Sequence, residues 1–94
     1  MNDTITAALL DKYFAITEEA FAIAKQAPQK RKEEATICID MAERYVSDAH
    51  HFRKEGDLVL SYGALNYAHG WLDCGARLGF FSVDDDRLFT VDKK

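Results

Sequence analysis

The four residues Lys54-Glu55-Gly56-Asp57 decide the fold. Glycine tolerates the left-handed backbone that closes a helix, and an aspartate directly after it can cap the free N–H groups of the next one. The stretch therefore reads as a tight corner between two antiparallel helices. Upstream of it, Ala35, Cys38, Met41, Ala42, Tyr45, Ala49 and Phe52 recur at three- and four-residue spacing, with Ile39 and Val46 beside them. They predict a helix over residues 28–54, with Pro28 in its first turn, where a missing N–H costs nothing.

Downstream, residues 58–78 carry two apolar rows. Leu58, Tyr62, Leu65, His69, Leu72 and Ala76 form one face. Leu60, Ala64, Tyr67, Trp71, Cys74 and Leu78 form another, roughly 140–180° away at about 100° per residue. A helix apolar on two opposite sides is either deeply buried or has a partner on each side. A chain of 94 residues is too small to bury it alone. The outer row, with Trp71 and Tyr67 at its centre, is thus a candidate interface with Leu60, Leu78 and Cys74. Gly79 should end this helix.

The first helix should span residues 4–26, capped by Asp3 or Thr4. Ile5, Leu9, Tyr13, Ile16, Ala20, Ile23 and Ala27 follow one face, and Leu10, Phe14 and Phe21 form a second row. Phe14 and Phe21 join the candidate interface. The tail, residues 79–94, is not helical in pattern. Its Phe80, Phe81, Leu88, Phe89 and Val91 are too apolar for a solvated end, so it should fold back, in part over the outer row of the third helix. The expected fold is all-α: one domain over residues 1–94, an antiparallel up-down-up three-helix bundle with a short packed tail.

Composition narrows the function. Net charge is −4, which argues against nucleic acid as a partner, because phosphate binding needs clustered Lys and Arg. No apolar run is long enough for a membrane span. The polar, acidic start Met1-Asn2-Asp3-Thr4 does not read as a signal peptide. Cys38 and Cys74, with no CxxC, read as free core thiols of a cytoplasmic chain rather than a disulfide. His50 and His51 are adjacent and point about 100° apart, so they do not share a metal ion. Asp84-Asp85-Asp86 lacks the glycine and the terminal glutamate of a calcium loop. No metal or other cofactor is expected.

His69 has two readings. It is a neutral, hydrogen-bonded core residue, with Tyr45 or Asp48 of the second helix as partner, or it is a general base working with Asp48 or Asp73. Asp73 and Arg77 form a favourable i,i+4 pair, or line a polar groove with Asn66 and Gly70. The spacing of Arg44 and His50 is similar to the signature of the HEPN ribonucleases, but the two residues lie about 120° apart on a helix.

Residues 41–57, Met-Ala-Glu-Arg-Tyr-Val-Ser-Asp-Ala-His-His-Phe-Arg-Lys-Glu-Gly-Asp, followed by Tyr67-Ala68-His69-Gly70-Trp71-Leu72-Asp73 and Gly75-Ala76-Arg77-Leu78-Gly79, resemble a family of short archaeal proteins known as domain of unknown function 357. The resemblance is closest over residues 35–81. It implies a three-helix bundle and no particular activity. The positions it shares are Tyr45, Asp48, Phe52, Gly56, Asp57, Tyr67, His69, Gly70, Trp71, Asp73 and Gly75. The expected role is a non-enzymatic interaction or self-association module, whose partner is a second copy or another protein. The alternative is a small hydrolase or ribonuclease using His69 with Asp48 or Asp73.

Overall fold

A computed structural model describes residues 2–92. Among them are three helices: α1 (Ala7–Gln26), α2 (Lys32–Lys54) and α3 (Leu58–Arg77). They run up, down and up. The α2–α3 seam is the most extensive, α1 lies chiefly on α3, and α1 meets α2 only slightly. The corner forms as its sequence requires. Gly56 has φ +83°, and the Asp57 carboxylate accepts from the Leu60 N–H at 3.0 Å. Gly79, with φ +76°, turns the chain out of α3.

Two helix starts differ from the sequence expectation. The cap of α1 is Thr6, whose hydroxyl accepts from the Leu9 N–H, rather than Asp3 or Thr4. Helix α2 begins at Lys32, not at Pro28. The residue before a proline is pushed to extended backbone, and Ala27 has φ −70° and ψ 152°. The linker stays extended because the tail pairs with it. Gln29 and Phe81 form an antiparallel bridge, Ser82 N–H donates to the Pro28 carbonyl, and the N–H groups of Lys30 and Arg31 donate to the Phe80 carbonyl.

The inward face of α1 is also corrected. Leu10, Phe14, Thr17, Ala20 and Ala24 are buried, whereas Ile23 is exposed. The core line runs between the two expected rows, taking Leu10 and Phe14 from the second and Ala20 from the first. Phe14 therefore packs inside the chain, with Leu10, Ala49, Ala64 and Leu65 around it, and is closed to a partner. Phe21 is partly buried against the other half of the core.

The tail does fold back, but not over the outer row of α3. Phe81, Leu88 and Phe89 are buried in the core formed by Ala20, Ala24, Ala35, Cys38, Ala68, Leu72 and Ala76. Phe81 lies flush against Gly75, where an added Cβ would meet the phenyl ring. The molecule is a slab of about 39 × 25 × 17 Å.

Candidate functional site

His69 projects from α3 toward α1 and the tail. Its Nδ1 lies 3.2 Å from Thr17 Oγ1, and its Nε2 faces the carbonyl of Leu88. A carbonyl only accepts, so Nε2 carries the proton and donates to it. In the neutral ring Nδ1 then accepts from the Thr17 hydroxyl. Asp73, one turn on, has its carboxylate 3.9 Å from Nε2 and accepts from the Thr90 N–H at 2.9 Å. Tyr45 and Asp48, the partners expected from the sequence, do not bond to His69; Thr17 and Leu88 do. Asp48 is exposed on α2, and the Tyr45 ring stacks on Tyr67 with centroids 4.4 Å apart. Arg77 does not take up Asp73 either; its guanidinium lies 3.8 Å from Asp92.

Both nitrogens of His69 are occupied by the chain itself. Two surface hollows flank residues 82–84, the larger about 520 Å³ and lined by Lys30, Arg77, Phe81, Val83 and Asp92 among others. His69 lines neither. What His69 and Asp73 do is hold the tail: one grips the main chain at Leu88, the other at Thr90.

The opposite side of α3 is different in kind. After α1, α2 and the tail have packed, Leu60 is 50% exposed, Tyr67 54% and Leu78 61%. Cys74 between them is exposed as well. Trp71 is half-buried, its ring stacked beside Tyr67 at 6.4 Å, so Tyr45, Tyr67 and Trp71 form an aromatic ladder across the α2–α3 seam. The Trp71 indole N–H is buried without a hydrogen-bond partner among the described residues. Such a group costs about 1–3 kcal/mol. On α2, Ile37 is 56% exposed as well. Of the outer row expected from the sequence, Ala64 is the exception: it is buried in the core beside Phe14.

Cys38 and Cys74 are both free thiols, but only Cys38 is in the core; Cys74 is exposed. Burial pushes the Cys38 thiol up from its ordinary value, and Cys74 adds a smaller push. Among the described residues no cluster of His, Cys, Asp or Glu is placed to hold a metal ion. Nor is any described helix long and apolar enough to cross a membrane.

Fold and surface together define a small all-α bundle with a self-contained polar clasp on one side of its central helix and an open apolar row on the other. The family described as protein of unknown function (DUF357) matches residues 12–81, and the chain belongs to it. The match takes in Phe81 but ends before Leu88 and Phe89, the other two tail residues that complete the core. No curated protein and no solved structure matches the chain.

Proposed function

We propose that the chain is a protein-contact module, without catalysis of its own, whose docking surface is the outer row of α3. One observation carries this: Leu60, Tyr67 and Leu78 remain half or more exposed when every other element has packed. Large apolar side chains in one continuous row mark interaction surfaces on small proteins. Tyr and Trp at the centre of such a row are the usual anchors of binding energy. Two free thiols suit a reducing, cytoplasmic setting.

The test uses Tyr67→Glu with Leu78→Glu, two exposed positions whose change leaves the core intact. The native chain should run above monomer mass in light scattering, alone or with a bound protein. The double variant should run as a folded monomer of unchanged helicity. A complex that survives both charges overturns the assignment of the surface.

A further inference from the structure

We propose that the occupant of this face is a second copy of the chain, the two α3 helices packing antiparallel about a two-fold axis beside residue 69. The pairing presupposes the contact surface proposed above and names its partner. A two-fold interface must be self-complementary: if residue i meets j, then j meets i. The row has that symmetry. Leu60 and Leu78 stand nine positions either side of residue 69, and Tyr67 and Trp71 stand two. An antiparallel pair therefore sets Leu60 against Leu78 of the second copy, and Tyr67 against its Trp71. Leucine meets leucine and ring meets ring.

Charge selects the same partner. The chain has 28 charged residues, 12 basic and 16 acidic, yet none between Leu58 and Leu72. Whatever docks here must itself offer an uncharged face, because a charge desolvated against it would have no counterpart. Residues 66–72, which face the same stretch of a second copy about the axis, are such a face, with Arg77 level with Ser61 of the second copy at its edge.

The glycines supply the third observation. An added Cβ at Gly63 or Gly70 would have no neighbour within 4 Å, so packing inside the chain gives no reason for either. Both sit on the exposed flank of the row, on either side of Tyr67. In the antiparallel register Tyr67 of the second copy falls level with residue 71, next to Gly70. The missing side chain leaves the hole into which that aromatic knob fits.

Leu60→Cys and Leu78→Cys, each in a Cys74→Ser background, decide the arrangement. Under mild oxidation the two variants mixed should give a disulfide-linked dimer, and neither alone should. Gly70→Ala should raise the melting temperature of the monomer while weakening self-association roughly fivefold or more, the scale of one central contact. A disulfide-linked dimer from either variant alone means like residues face each other, and overturns the antiparallel pairing while leaving the contact surface in place. A native chain that is monomeric at every concentration overturns the second copy as occupant. In that case loss of a foreign protein in the Tyr67→Glu, Leu78→Glu variant would still uphold the contact surface.

Discussion

The imidazole of His69 has a partner at each nitrogen, one from α1 and one from the tail. Removing the ring strands a threonine hydroxyl and a carbonyl. His69→Ala should therefore lower stability by about 1–3 kcal/mol in urea unfolding, whereas Asp48→Ala, at an exposed site, should change it by less than about 0.5 kcal/mol. Equal effects would show that His69 is not the clasp described. The two thiols part in the same way. In the dissociated chain Cys74 should react with a maleimide on mixing, and Cys38 only when the chain opens. Cys38 also sets an alkaline limit. Its folded value is raised above its unfolded one, so its contribution to stability is whole below pH about 9 and is lost as pH climbs through the folded value. Urea midpoints measured upward from pH about 9 should fall, and fall less in Cys38→Ala. That His69 faces inward is legible from its apolar neighbours at helical spacing. Its partners are not, because Thr17 and Leu88 are distant in sequence and only the finished fold brings them together.

At the level of the helix, α3 has glycines of two kinds. Gly75 is needed by Phe81, and Gly75→Ala should cost about 1–3 kcal/mol by overpacking. Gly63 and Gly70 are not needed by the chain's own packing, and alanine at either should stabilise the monomer by about 0.5–1 kcal/mol. Thermal melts of the three single variants at low protein concentration check both signs. The corner at Gly56-Asp57 is readable because a cap and a left-handed turn are local devices, set by residues in contact along the chain. The inward face of α1 is not. Its apolar arc covers about half the helix, and periodicity alone cannot say which edge of a wide arc points in. The true row also contains Thr17, a polar residue that the pattern discards. The start of α2 differs for a related reason: Pro28 is compatible with a first helical turn, and only the bridge between Gln29 and the distant Phe81 draws the linker out into extended backbone.

At the scale of the molecule, three helices do not close this core. With α1 barely touching α2, the space between them is filled from the C-terminal side by Phe81, Leu88 and Phe89. Each buries a side chain of the size whose loss costs about 2–5 kcal/mol, and domains of this length hold only about 5–15 kcal/mol in total. A chain cut after Gly79 should thus keep helical circular dichroism but lose a cooperative thermal transition. The clasp that holds the tail has a consequence for how this sequence can change. His69 and Asp73 grip peptide groups, and a peptide group is the same at every residue except proline, which lacks the N–H. At Thr90, held by its N–H and exposed at its side chain, the side chain is therefore a free variable, proline excepted. Drift along the tail can rewrite its surface, and with it the chain's outward chemistry at that edge, while the fastening itself stays where it is.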